Sequence, residues 1–331
     1  GGGHFYPINK FPDFEQVKNW YVPYILESTR YQDNYYGLPC SAIAFALVCN
    51  KEMFDKEGLV PPKTWSEFRD VAKKLTKDLD GDGTIDQWGL VLLGGDRGGF
   101  AYRLAPFMFK AGTEFLTPDL RKATFNTPQA VSALQLFADM YQIDKSITPG
   151  FLAYTLTEVN DLFCNNKAAM SIEGPWFLGL VNEKRPGKCL YTVPVPVPDD
   201  RIDLYETAPT LQDMVMIAIS NYSQNPEAAW EVAKFLRNPE ADMAWVQLDM
   251  GAMPTTIQAW TSPEAKNFHD IEVFENELKH AKPWPPHPKM IVIVKNLIAP
   301  YGMKAVIGEL TPQQAWDQAV AEAQEMLDGK K

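Results

Sequence analysis

Histidine is scarce: the 331-residue chain has four, at His4, His269, His280 and His287. None falls in HExxH, so two imidazoles on one helix face beside a glutamate, the zinc-protease arrangement, are excluded. Cysteine is equally sparse, and Cys40, Cys49, Cys164 and Cys189 show neither CxxC nor zinc-ribbon spacing. Cys40 and Cys49 lie on one strand-like segment at an odd separation, which sends them to opposite faces. Buried free thiols are the plain reading; a Cys164–Cys189 bridge stays open. No Lys/Arg block occurs, and 31 basic against 42 acidic residues give a net charge of −11 and a pI near 4.9. That balance opposes a broad nucleic-acid or anionic-membrane surface. The longest apolar run of note, AIAFALVC at 42–49, is too short to span a bilayer. The opening GGGHFYPINKF does not read as a signal peptide, and its GGG reads as an added or truncated start. There is no GxSxG elbow and no GxxxxGK[ST] loop. GGDRGG, at 94–99, follows a strand but lacks the dinucleotide-binding register and a downstream acidic partner. No two carboxylates stand out as an acid–base pair. Catalysis is therefore unsupported, and a hydrolase of unrecognised type is retained only as a rival reading.

What is present is a globular composition, 46% hydrophobic and 22% charged, long enough for about two domains. Helical and strand patterns alternate. TWSEFRDVAKKLTK, 64–77, opens with a capping box, Thr64 with Glu67, and carries Trp65, Phe68, Val71, Ala72 and Leu75 as one apolar stripe. Further helices begin with a cap residue and proline at 127–128, 225–226, 238–239, 262–263 and 311–312. Between them lie strand-like runs such as AIAFALVCN, WGLVLLG, AAMSIEG and MVMIAIS. The prolines of VPVPVPDD suggest an edge strand or an exit into a loop. The alternation predicts an α/β fold with sheets covered on both faces. KPWPPHP, 282–288, reads as a stiff extended crossing. Trp20, Trp65, Trp230, Trp245 and Trp316 sit on apolar helix stripes and read as core.

DLDGDGTIDQWG, 78–89, matches the first half of an EF-hand loop. Asp78, Asp80, Asp82, Thr84 and Asp86 are its candidate ligands for a structural Ca²⁺. The twelfth position, normally a bidentate glutamate, is Gly89, and a strand-like run follows where a sensor has its second helix. A bound structural cation and a metal-free Asp/Gly turn both remain open, and no other cofactor is required.

Six stretches together carry a resemblance: GLPCSAIAFALVCNKEMFDKEGLVPPKTWSEF (37–68), DLDGDGTIDQWG (78–89), KAAMSIEGPW (167–176), MIAISNYSQNPEAAWEVAKFL (216–236), GAMPTT (251–256) and TPQQAWDQAVAEAQEML (311–327). The chain resembles the extracellular solute-binding proteins of ABC importers, in the sugar-binding group (family 1) that includes maltose-binding protein. The resemblance implies a type II periplasmic-binding-protein fold: two α/β lobes joined by crossing strands, with ligand in the cleft and closure by a hinge. It places lobe 1 at 1–41 and 218–280, lobe 2 at 47–215 and 286–331, and the crossings at 42–46, 216–217 and 281–285. Relatives usually have roughly 70–100 residues, a lobe-sized piece, before the GLP segment. Only 36 residues precede Gly37 here, so the first lobe is expected to be incomplete.

The implied function is capture of a carbohydrate, expected to be an oligosaccharide, and its delivery to a membrane permease, by a monomer outside the cytoplasm. The location is periplasmic or cell-surface, with lipid anchoring an option for a full-length precursor. No chemistry and no nucleic acid is implied. Receptors for a polyol, a glycerophosphate or a polyamine are the alternatives. A sugar needs aromatic plates for its C–H faces and polar groups for its hydroxyls. On the family pattern Trp176 is the stacking tryptophan. Phe100, Tyr102, Asp96 and Arg97 stand on or just after the glycine-rich loop. Gln212 and Asp213 stand at a crossing, Ser41 beside the first one, and Met253 and Trp284 are weaker candidates. Each could instead be ordinary packing or loop structure. The hydroxyl-binding carboxylate of maltose binders falls near Ile43, which argues against the same ligand geometry.

Overall fold

The structure is a computed structural model and describes residues 3–96, 98–247, 253–265 and 270–330. Seven strands carry the two main sheets. They are β1 (Leu38–Ala44), β2 (Ala46–Asn50), β3 (Trp88–Leu90), β4 (Ala168–Glu173), β5 (Leu190–Val193), β6 (Leu211–Ile217) and β7 (Lys282–Pro283). The first sheet has the order β1–β6–β7 and the second β3–β4–β2–β5. β1 and β2 are consecutive, separated only by Phe45, yet belong to different sheets. β2 and β4 are buried along their whole lengths, which is why both are mainly apolar without alternation, with Asn50, Ser171 and Glu173 as buried polar exceptions. β5 lies at the sheet edge and ends at Val193, just before the first proline of its PVPVP run.

Each sheet heads its own lobe. The first lobe packs Ile8, Phe11, Phe14, Tyr21, Leu38 and Trp230 in one cluster. A second cluster there joins Val22, Ile25, Ala42, Met253, Phe274 and Leu278. The larger second lobe is built on α1 (Trp65–Leu75), α2 (Gly99–Lys110), α3 (Pro128–Gln142), α4 (Leu156–Cys164) and α5 (Trp176–Lys184). The first lobe contributes α6 (Pro226–Arg237) and α7 (Ile271–His280), and α8 (Ala299–Val306) and α9 (Pro312–Leu327) return to the second. The capping box expected at Thr64 forms, with the Thr64 N–H donating to Glu67 and the Glu67 N–H to Thr64 Oγ1. Thr127, Ser262 and Thr311 also accept from the backbone of the following turn. Asn225 makes no such bond, because its backbone (φ −136°, ψ 65°) directs the side chain away.

The chain passes between the sheets three times. The first passage is at Phe45, within the expected 42–46. The third follows Pro283, where Trp284 leaves the first sheet and packs on the second lobe's core. The second spans 194–210, upstream of the expected 216–217, because β6 already pairs with β1 from Gln212–Ala44 onward. Residues 211–215, assigned to lobe 2 from the sequence, are thus part of the first sheet. Their mixed sequence, LQDMV, carries no mark of which sheet it joins.

All four cysteines are free, and Cys40 and Cys49 sit on different sheets rather than on two faces of one strand. Trp65, Trp230 and Trp316 are core, as expected. Trp245 is 44% exposed, beside Phe235 and Leu236 on an outward apolar patch. Among the described residues no helix is long and apolar enough to cross a membrane.

Candidate functional site

The seam between the lobes is lined by aromatic rings, and Phe45 is its centre. Phe45 is 1% exposed, and its carbonyl accepts from Thr210 Oγ1 at 3.1 Å, which ties the first passage to the end of the second. Trp176 meets the Phe45 ring edge-on at 5.6 Å, and Tyr102 lies 6.1 Å from it on another side. Tyr102 in turn meets Trp284 edge-on at 5.7 Å, and Trp284 rests on Phe115 at 4.8 Å. Edge-to-face spacings of this kind hold rings in fixed mutual orientation.

Local sequence explains each placement. In the GPW element, a Cβ on Gly174 would come within 2.0 Å of the Trp176 ring, so only glycine lets the indole fold back over the strand end. Gly98 starts α2 with φ +96°, in the left-handed region, and Tyr102 lies one turn on, on the only half-buried side of an otherwise buried helix. Trp284 is held by prolines on both sides, which fix φ and leave the ring little freedom.

Beside these rings opens a cavity of about 660 Å³, within the range of small-molecule sites. Tyr102, Gln212, Asp213 and Trp284 line it from the seam, and Tyr31, Tyr36, Met214 and Ile291 from its walls. Asp213 is its one carboxylate among the described residues. Asp213 accepts from the Met214 N–H at 2.9 Å, and burial raises its pKa, that hydrogen bond only partly offsetting the effect. Burial, with the Asp213 charge adding to it, pushes the Tyr102 hydroxyl up to about 12, so it stays a donor at neutral pH. Gln212 Nε2 and Trp176 Nε1 are buried donors with no acceptor among the described residues. Beneath Phe45, Glu173 at the end of β4 pairs with Arg103 of α2 and accepts from Ser171 Oγ at 2.9 Å. The Arg103 guanidinium lies 5.8 Å from the Phe45 ring, so this buried pair supports the plate from below.

The residues singled out from sequence thus divide. Tyr102, Gln212, Asp213 and Trp284 come together on the cavity, and Trp176 stands one ring behind, across Phe45. Two need correction. Phe100 is 1% exposed, wedged among Phe137, Phe151 and Gly302 in the second lobe's core, because it occupies the inner side of α2. Met253 is 3% exposed and bridges to Ala42 in the first lobe's core. Asp96 is exposed in the loop before α2, and Ser41 is half-buried at the register shift in β1; neither lines the cavity. Arg97 lies outside the described residues. Sequence reasoning missed Phe45, whose only signal is its position between two β runs, and also Tyr31, which pairs with Asn34 in a short ribbon of 30–31 with 34–35, and Tyr36, which follows that ribbon.

In the acidic loop, oxygens of Asp78, Asp80 and Asp86 lie within 4.8 Å of one another. Asp82 stands apart from that group of carboxylates, and its Oδ1 accepts from the Thr84 N–H at 2.7 Å. The Gly81 and Gly83 N–H groups bond Asp78 at 2.7 and 2.8 Å, and the Gly83 bond leads in holding its carboxyl below the usual range.

A family model of bacterial extracellular solute-binding proteins matches residues 2–243. The chain belongs to that family. A putative binding protein of Brucella abortus is 28% identical over 271 residues, 81% of this chain and 62% of that protein. The maltotriose-binding protein of Pyrococcus abyssi is 24% identical over 287 residues, 86% of this chain and 58% of that one. This solute-binding protein therefore spans about three-fifths of the length of the curated relatives it matches. A crystal structure of an ABC-transporter solute-binding protein from Thermotoga lettingae, bound with α-D-tagatose, is 27% identical with a TM-score of 0.81. The match covers 98% of this chain and 81% of that one. The bilobal fold is thus common to both.

Proposed function

We propose that this chain is a receptor that captures a carbohydrate in the cavity at the lobe seam and presents it to an ABC permease outside the cytoplasm. The observation that carries the reading is the ring series Trp176–Phe45–Tyr102–Trp284 running along the seam beside Asp213 and Gln212. Rings supply flat apolar faces for C–H groups, and the carboxylate and amide supply an acceptor and a donor for hydroxyls. The sugars named for its relatives support the class. Ligand bridging both lobes would favour a closed clamp, with Phe45 and the other two passages as the hinge. A glycosidase needs a carboxylate pair flanking the scissile bond, and this cavity offers Asp213 alone. The receptor reading thus requires no chemistry.

A thermal-shift screen against mono- and oligosaccharides tests it. A cognate sugar at about a hundred times its Kd stabilises the native state by about 2.7 kcal/mol and raises Tm accordingly. Tyr102→Ala is expected to weaken that sugar about tenfold, the scale of one ring contact. A screen in which no sugar moves Tm defeats the reading.

We also infer that Asp78, Asp80 and Asp86 hold a structural Ca²⁺, their convergent oxygens being the support. Chelator is then expected to lower Tm in the wild type but not in Asp78→Asn, with sugar affinity unchanged in both. Identical melting with and without chelator would leave the loop as a plain turn.

A further inference from the structure

The cavity carries one half-buried carboxylate, Asp213, with no counter-charge paired to it among the described residues. Asp213 forms no ion pair among the described residues, and it accepts a hydrogen bond from the adjacent Met214 N–H. The basic groups that line the same cavity are committed or remote. The Arg30 guanidinium is exposed and bonds Gln32 O at 2.9 Å and Glu27 at 3.3 Å, with Asp33 at 3.8 Å. Lys10 is exposed at the mouth. His4 is exposed and lies 3.4 Å from the Tyr222 hydroxyl. His287 Nδ1 accepts from the Lys289 N–H at 3.2 Å, and burial, with the Lys289 charge, lowers its pKa, so the ring is neutral at pH 7.

Around Asp213 the walls are rings. Tyr102 and Trp284 stand at 80° to each other, two faces of a corner, with Tyr31 and Tyr36 across the cavity. A carboxylate in an aromatic corner is the arrangement that suits a cation: the charge is met by Asp213 and its flanks by ring faces. A neutral hydroxyl gains a hydrogen bond there but leaves the charge uncompensated. The net charge of −11 also favours cations over anions in approach.

Resting on the receptor reading, we propose that the preferred ligand carries a protonated amine, as in an amino sugar, and that this ammonium seats against Asp213 beside the corner formed by Tyr102 and Trp284. Gln212 then serves the hydroxyls of the same ligand. A neutral sugar binds more weakly, and a ligand with a phosphate or carboxylate at that point is rejected.

The test compares matched probes by calorimetry at pH 7: glucosamine, galactosamine and their β-linked dimers against the hydroxyl, N-acetyl and uronic-acid counterparts, with spermidine as an amine lacking a sugar ring. The amine-bearing member of a pair is expected to bind at least about tenfold more tightly than its neutral counterpart, a charge-assisted contact against a neutral one. In Asp213→Asn, checked for an unchanged Tm, that ratio is expected to fall to near one. The wild-type ratio decides the matter even if the variant does not fold. Neutral or acidic members binding as tightly as the amines would overturn the proposal while leaving the carbohydrate receptor intact. Spermidine binding that depends on Asp213, with no sugar bound, would keep the amine seat and end the carbohydrate reading. No binding by any probe would end both.

Discussion

Asp242→Ala is expected to lower the stability of the folded chain by about 3–5 kcal/mol, the usual cost of leaving one partner of a buried ion pair uncompensated. Asp242 is 1% exposed. One carboxylate oxygen meets Arg237 at 2.7 Å. The other accepts from the Thr255 and Thr256 N–H groups at 2.9 and 2.7 Å, and from Thr256 Oγ1 at 2.8 Å. Arg237 spends its remaining donors on the Pro39 and Cys40 carbonyls, at 3.1 and 2.9 Å, while its own carbonyl accepts from Tyr21 at 2.7 Å. The network therefore ties the end of α6, the start of β1, the chain at 255–256 and the amino-terminal helices into one lobe. Without Asp242 a guanidinium stays buried with no counter-charge, and two backbone donors lose their acceptor. Urea titration should show the midpoint fall with its slope preserved. A loss below about 1 kcal/mol would mean that water reaches Arg237 and the network is not dry.

Much of this architecture is legible in the sequence, for stated reasons. α1 announces itself because Thr64 and Glu67 form a local cap and the apolar stripe has a helical period; neither depends on distant residues. β2 and β4 are visible because burial on both faces makes them mainly apolar without a period of two. Chain crossings are harder. The Phe45 passage falls within 42–46, but the second lies about one strand before 216–217, since nothing local distinguishes β6 as a partner of β1 from β6 as a partner of β4. The same limit governs the site. Tyr102, Asp213 and Trp284 could be nominated from residue type and family position, yet their meeting is a property of tertiary packing. Phe100, two residues from Tyr102, faces the other side of α2, and only helix phase separates a core ring from a cavity ring. Phe45 was invisible because a phenylalanine among apolar neighbours looks like any other core residue.

The second large effect concerns the joint between the lobes. Lys110, at the end of α2 in the second lobe, meets Glu277 of α7 in the first at 2.9 Å, with side chains 0% and 1% exposed. Lys110 also donates to the Tyr205 carbonyl at 3.3 Å, and Glu277 Oε2 has no partner among the described residues. Burial raises the Glu277 carboxyl to about 7 despite the opposing Lys110 charge, and Glu206 nearby adds to the rise. Lys110→Met alone is expected to cost about 3–5 kcal/mol, because it leaves that carboxylate buried without a counter-charge. The double replacement Lys110→Met with Glu277→Leu should recover most of the loss and can exceed the wild type, since neither desolvation cost remains. A carboxyl whose folded value lies above its ordinary 4.5 binds protons more tightly in the native state. Its contribution to stability is therefore fully present below about 4.5 and declines as pH rises through about 7. Glu277→Gln should flatten that decline. A double variant no more stable than Lys110→Met would show that the pair holds the lobes together through specific geometry rather than by mutual neutralisation, and would make Glu277 a structural requirement of the joint.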